Sequence, residues 1–183
     1  MRENWQKEVL QLIKDVGIWI EEERLKVFSN HIETKSLNSF VSYVDIEAEK
    51  LLIEGFKKII PGSGIIAEES GDFEILNRFN WIIDPLDGTT NYIHGLKPYA
   101  ISVALMFESD IIWSAILDLS TFKIYTAEKG KGAFCNEIPL DITKGSKLSN
   151  GIIGTGFPYY DFSQVNSYLK VLKNCFENSR GVR

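Results

Sequence analysis

The stretch Trp81-Ile82-Ile83-Asp84-Pro85-Leu86-Asp87-Gly88-Thr89-Thr90-Asn91 reads as a strand that runs through a turn into a helix start. Trp81-Ile82-Ile83 is continuously apolar, as a buried strand is. Pro85 fixes its own φ and pushes Asp84 into an extended conformation. A bend at this point can bring the carboxylates of Asp84 and Asp87 and the carbonyl of Leu86 toward one spot. Hard cations such as Mg2+ take oxygen ligands of this kind. A bare Asp-Pro-x-Asp is also an ordinary solvated surface turn. The apolar strand before it and Gly88-Thr89-Thr90 after it turn the reading toward a metal site. Gly88 permits a close backbone approach, and the N–H groups of a helix start, with the threonine hydroxyls, form an anion cradle. Thr89 or Thr90 as a plain helix cap is the other reading, and one helix end can do both. His94 and Pro98 limit this helix to about two turns. A metal site fused to an anion site points to chemistry on a phosphate ester.

Working outward toward the C-terminus, Tyr99 to Phe107 is almost continuously apolar, and 111–117 and 122–126 repeat the theme. Glu108-Ser109-Asp110 and Asp118-Leu119-Ser120 are turns, so three long strands form an antiparallel meander. Toward the N-terminus, residues 5–28 predict an amphipathic helix carrying Trp5, Val9, Leu12, Ile13, Val16 and Ile20. Residues 39–44 are short and β-leaning, and 45–60 predict a second helix with Ala48, Leu51, Leu52, Phe56 and Ile59 on one face, closed by Pro61-Gly62. Ile65-Ile66-Ala67 is a further buried strand. Helices first and a meander after give an α+β layer. Ile152 to Thr155 predicts a new strand and Phe162 to Phe176 a new helix.

The chain has 183 residues, 44% hydrophobic and 12% aromatic, enough for a real core, with a net charge of -5. That balance does not suggest a nucleic-acid polymer as partner. No run is long enough for a membrane span and the N-terminus lacks a signal-peptide apolar region, so the cytoplasm is the expected location. Cys135 and Cys175 form no motif, which fits a reducing compartment.

Ala67-Glu68-Glu69-Ser70-Gly71 follows a predicted strand, and one of its acids could join the metal cluster and act on a water. Paired loop acids are more often simply solvated. Ser42-Tyr43-Val44-Asp45 reads as a capping box opening the second helix; the functional alternative is that Asp45 accepts a hydrogen bond from a catalytic threonine hydroxyl. Gly130-Lys131-Gly132 lacks the frame of a P-loop and reads as a hairpin turn, and Gly154-Thr155-Gly156 is too short for a dinucleotide fingerprint. His94 packs locally rather than ligating a hard cation. Trp81 and Trp113 are core candidates.

The segment Trp81 to Tyr92 closely resembles the first signature of the inositol monophosphatase family. Val41-Ser42-Tyr43-Val44-Asp45, Ile66-Ala67-Glu68-Glu69-Ser70 and Gly130-Lys131-Gly132-Ala133-Phe134-Cys135-Asn136 resemble further family segments in the same order. The resemblance implies the layered helix/sheet sandwich of the sugar phosphatase type. It also implies Mg2+-dependent hydrolysis of a small phosphate monoester, typically myo-inositol phosphate. Glu68 would be a ligand of the first metal and orient the attacking water. Asp84 would bridge metals, Leu86 would give its carbonyl to the first, and Asp87 would bind the second. Asp87, Gly88 and Thr89, with Thr90 beside them, would hold phosphate. The Thr89 hydroxyl would help activate the water, with Asp45 positioning it. Histidinol phosphate, fructose 1,6-bisphosphate and 3′-phosphoadenosine 5′-phosphate are alternative substrates within the superfamily, and a non-catalytic metal- or phosphate-binding module is the reading from another class. The family is commonly dimeric, so a homodimer is implied, as is inhibition by Li+.

Family members continue past Arg183 into a Trp-Asp-x-Ala-Ala-Gly signature that supplies a further aspartate. No Trp-Asp pair occurs in this chain. The resemblance thus implies a C-terminally incomplete chain, either a fragment or a natural truncation with impaired activity, in which 1–147 form the α+β domain and 148–183 are only the opening of a second, α/β domain.

Overall fold

The structure, a computed structural model, describes residues 4–29, 34–71, 73–75, 78–141, 147–158 and 161–183. They fall into two compact units, Met1–Leu140 and Asp141–Arg183. The first runs α1 (Trp5–Ser29), α2 (Thr34–Ile59), β1 (Gly64–Ala67), β2 (Phe73–Glu74), β3 (Phe79–Asp87), α3 (Thr89–Ile93), β4 (Ala100–Phe107), β5 (Asp110–Asp118), β6 (Lys123–Glu128), β7 (Gly132–Cys135) and β8 (Ile138–Pro139). The second holds β9 (Ile152–Ile153), α4 (Val165–Asn178) and β10 (Gly181–Val182).

Among the described residues the first unit has one eight-stranded sheet, in the order β2-β1-β3-β4-β5-β6-β7-β8. The meander expected from residue 99 onward is present: β4, β5 and β6 pair antiparallel in sequence. The sheet as a whole is mixed, because β1 pairs parallel with β3 while β2 lies antiparallel on its outer side. Parallel pairing has a consequence that alternation cannot signal. It brings the C-terminal ends of β1 and β3 to the same end of the sheet, with Ala67 opposite Ile83.

Directly opposed residues share a face of a sheet. The sets Trp81–Leu105–Trp113, Ile83–Val103–Ala115 and Ile101–Leu117–Ile124 are opposed and buried, and they form the core with α1 and α2. Helix α1 contributes Val9, Ile13, Val16 and Ile20, and α2 contributes Val44, Ala48, Leu52 and Phe56. Trp81 is 0% exposed and stacks on Phe56 at a centroid distance of 4.3 Å, while Trp5 meets both Trp81 and Trp113 edge-on. Such aromatic pairs add about 0.5–1.5 kcal/mol each beyond area burial.

Several sequence expectations are corrected. Residues 39–44 are not β-leaning but lie inside α2, which begins at Thr34. Asp45 is therefore an interior helix residue, and the capping-box reading of 42–45 does not hold; the side chain of Ser42 lies outside the described residues. The β-branched and aromatic residues there favour a strand locally, but burying one helical stripe against α1 and β3 outweighs propensity. Val44 belongs to that stripe, and Leu51, 40% exposed, does not. The helix after Gly88 is also shorter than the two turns expected, ending at Ile93.

In the second unit, β9 and β10 pair parallel, Ile152 with Gly181 and Ile153 with Val182, and α4 connects them. A parallel pair requires such a crossover connection. The helix expected over 162–176 takes form as α4, and the strand expected over 152–155 forms at Ile152-Ile153.

Candidate metal and phosphate site

The acids lie where β1 ends beside the last residues of β3. β1 stops at Ala67, and Glu68, exposed, follows immediately. By register it stands beside Asp84, close enough for its negative charge to raise the Asp84 carboxyl. β3 continues past β1, but its pairing with β4 shifts register between Asp84 and Asp87. An irregularity of this kind re-aims side chains, and it occurs where Pro85 removes a backbone donor. The Leu86 N–H donates to Asp84 Oδ1 at 3.2 Å, which ties the turn together, while the Leu86 side chain is buried. Asp87 is exposed at the strand end.

Gly88 follows with φ +85° and caps α3 without a side chain. A Cβ there would lie 3.1 Å from the Pro98 carbonyl oxygen and 3.3 Å from Tyr99 Cα. Glycine is thus required twice, by the left-handed conformation and by the close approach of the Pro98–Tyr99 backbone. Thr89 is half-buried and Thr90 exposed. The Thr89 hydroxyl donates to the Leu86 carbonyl at 3.0 Å. The bond that the resemblance implied, from this hydroxyl to Asp45, is therefore not the one made in this structure.

Asp45 is 3% exposed, and its Oδ1 has no hydrogen-bond partner. Burial pushes its carboxyl up to about 7, and the negative charges of Glu69, Asp84, Glu68 and Glu49 add to the effect. Asp84 is also pushed up to about 7, first by burial and then by Glu68 and Asp87. Glu69 is raised by burial, Glu68 and Glu49. Like charges crowded into a half-buried site disfavour their own ionisation. Among the described residues no three acidic, histidine or cysteine side chains are gathered closely enough to hold a metal ion. The acids stand in one another's field without forming a finished cage. All the donors are oxygens, one buried carboxylate oxygen is orphaned, and the excess charge is negative. Those features fit a hard cation such as Mg2+. A cavity of about 410 Å³ opens beside Glu68 and Asp84, walled by Ile66, Ile82, Ser102 and Ala104.

Three supporting residues escaped the sequence reading. Glu49, on α2, accepts the backbone N–H groups of Glu69 and Ser70 at 2.9 Å each. The available signal was an acid one turn after Asp45 on an otherwise apolar helical stripe, since a buried carboxylate has to find donors. Tyr92 and Tyr99 hold α3 in place. The Tyr92 hydroxyl donates to the Ile20 carbonyl at 3.0 Å and the Tyr99 hydroxyl to Glu21 Oε1 at 2.8 Å, with the two rings edge-to-face. Burial, with Glu21 beside it, pushes the Tyr99 phenol up to about 12, so it remains a donor. Asn91 Nδ2 donates to the Pro98 carbonyl at 2.8 Å, closing the loop after α3. His94 caps α3 through its backbone and is exposed.

The sequence profile of the inositol monophosphatase family matches residues 1–181. An inositol-1-monophosphatase of Rhizobium meliloti is 32% identical over 176 residues, which cover 96% of this chain and 66% of that protein. A Nus factor SuhB of Pseudomonas aeruginosa is 32% identical over 166 residues, covering 88% and 60% respectively. The crystal structure of the extragenic suppressor protein suhB from Bartonella henselae superposes with a TM-score of 0.81 at 28% identity, over 97% of this chain and 67% of that one. The chain spans about three-fifths of the length of the curated relatives it matches. With a profile match over nearly its whole length and a shared fold, the chain belongs to the inositol monophosphatase family.

Proposed function

We propose that this chain carries the larger part of the active site of a Mg2+-dependent phosphatase acting on a small phosphate monoester, with myo-inositol monophosphate as the leading substrate. The observation that carries the reading is that Glu68, Asp84 and Asp87 leave the same end of the sheet, where Asp84 and the nearby Asp45 are both pushed up to about 7. Glu68, Asp84, Asp87 and the Leu86 carbonyl would hold Mg2+. Bound there, the cation supplies charge neutralisation for the phosphoryl oxygens and a water of lowered pKa.

The chain's own groups would do the rest. Glu68 orients the attacking water. The N–H groups of Gly88 and Thr89, with the Thr90 hydroxyl, bind phosphate oxygens, as the unbonded first N–H groups of a helix can. The Thr89 hydroxyl, once released from the Leu86 carbonyl, takes part in proton transfer from the water. Asp45 is the buried acceptor that positions it. In this reading residues 1–147 form the metal- and phosphate-binding domain, and 148–183 open an α/β domain whose first crossover is β9–α4–β10.

A relative of Aquifex aeolicus, 33% identical over 160 residues, is described as a fructose-1,6-bisphosphatase/inositol-1-monophosphatase. That name supports fructose 1,6-bisphosphate as the next substrate to try. The second reading is a non-catalytic metal- or phosphate-binding module; several relatives are named Nus factor SuhB rather than phosphatase. Phosphate release from inositol 1-phosphate and fructose 1,6-bisphosphate, with Mg2+ and with a chelator, tests the proposal on the intact protein. Mg2+-dependent release is expected. Cation binding without release from any monoester in a broad panel would favour the second reading.

A further inference from the structure

Glu49 lies on α2 one turn beyond Asp45 and is 2% exposed. Its carboxylate engages two consecutive backbone amides, Oε2 that of Glu69 and Oε1 that of Ser70. Both amides follow Glu68 directly, where the chain leaves β1. Burying a carboxylate is costly unless donors surround it, and charge-assisted bonds of this kind are among the stronger ones. Tying a loop to a helix needs only one bond. Two bonds to a planar carboxylate fix direction as well as distance, so the peptide planes after Glu68 are held from a rigid helix.

We propose that Glu49 is a positioning residue. By clamping the Glu69 and Ser70 amides it aims Glu68 into the cation site beside Asp84. The inference rests on the proposed reading of Glu68 as a cation ligand and adds a supporting residue to it. Glu49 itself faces amides rather than the cation. Groups that orient metal ligands in this way typically change metal affinity about 10–100-fold when altered.

The test is calorimetric titration of the intact protein with Mn2+, without substrate. Glu49→Asp keeps the charge but is one methylene shorter, so it cannot reach both amides. Expected is a loss of Mn2+ affinity of about tenfold or more, and no further loss when Glu49→Asp is added to Glu68→Gln, because the two act through one ligand. A merely structural tie predicts a lower melting temperature with unchanged Mn2+ affinity in the folded protein, and that result overturns the proposal. So does an equal loss with and without Glu68. Should Glu49→Asp not fold, amide hydrogen exchange of the wild type decides: the Glu69 and Ser70 amides are expected to be protected far beyond an exposed loop, and free exchange overturns the clamp. A wild type that binds no Mn2+ overturns the cation reading, and the positioning role with it. Wild-type binding beside an unaffected Glu49→Asp overturns the clamp alone.

Discussion

Two buried or half-buried acids, Glu21 on α1 and Asp45 on α2, are treated in opposite ways. Glu21 receives the Tyr99 hydroxyl on one oxygen at 2.8 Å, and Arg24 Nε and Nη2 on the other at 3.1 and 2.9 Å. Arg24 also lies 5.9 Å from the centre of the Tyr99 ring. Asp45 has an oxygen with no partner and stands in the field of Glu69, Asp84, Glu68 and Glu49. An unsatisfied buried polar group costs about 1–3 kcal/mol. The first cluster is completed by the chain and ties the residue before β4 to α1. The second is left incomplete, and local inconsistencies of that kind belong at functional sites.

The largest expected difference comes from removing a charge from the incomplete cluster. Asp84→Asn should lower Mg2+-dependent phosphate release at least about a hundredfold, while the chelated protein melts no lower than wild type, because a crowded buried charge has gone. Retained release, or a marked fall in melting temperature, would show that Asp84 is structural. Next is pH. Asp45 and Asp84 are raised from 3.8 to about 7 in the folded chain, so between those values the folded state holds protons that the unfolded state has released. Their contribution to stability is fully present below about pH 4 and is lost as pH rises through about 7, on the order of a few kcal/mol. Denaturant unfolding of the chelated protein across this range should show that decline, and Mg2+ should reverse it near neutrality. A flat profile would mean that the acids are not mutually crowded.

Between the two clusters lies the turn that α3 hangs from. Gly88→Ala places a Cβ at φ +85° and against the Pro98 carbonyl. It should cost about 1–3 kcal/mol, a fall of roughly 2–4 °C in melting temperature per kcal/mol. No change by calorimetry would mean that the turn can open. The smallest effect belongs to the completed cluster. Glu21→Gln loses a partly exposed ion pair with Arg24 and should cost about 1 kcal/mol, with phosphate release close to wild type. A collapse of turnover would show that the α1 anchor reaches the chemistry.

Much of the first unit was legible in the sequence, for local reasons. The apolar runs of β1, β3, β4 and β5, the tight turns between them and the stripe of α1 each announce themselves within a few residues. Asp84, Leu86, Asp87, Gly88 and Thr89 were legible as a group because Pro85 and Gly88 constrain the backbone between them. Glu49 was not, since a helical glutamate looks solvated until its neighbours are known. Nor was the partner of the Thr89 hydroxyl, which depends on where the β3 irregularity leaves the Leu86 carbonyl. Residues 39–44 misled because strand propensity is a local average, whereas burial of Val44 is a tertiary fact.

The sequence by itself determined which donors exist: carboxylates at 45, 68, 84 and 87, a turn constrained by Pro85 and Gly88, and a short helix after it. Only the tertiary structure decided that they meet. Parallel pairing of β1 with β3 sets Glu68 beside Asp84, and the face of α2 that is buried carries Asp45 and Glu49 inward with Val44, Ala48 and Leu52. Both depend on which strand finds which neighbour and which helical face is buried, and those are settled by long-range burial of apolar surface rather than by any stretch of chain read alone.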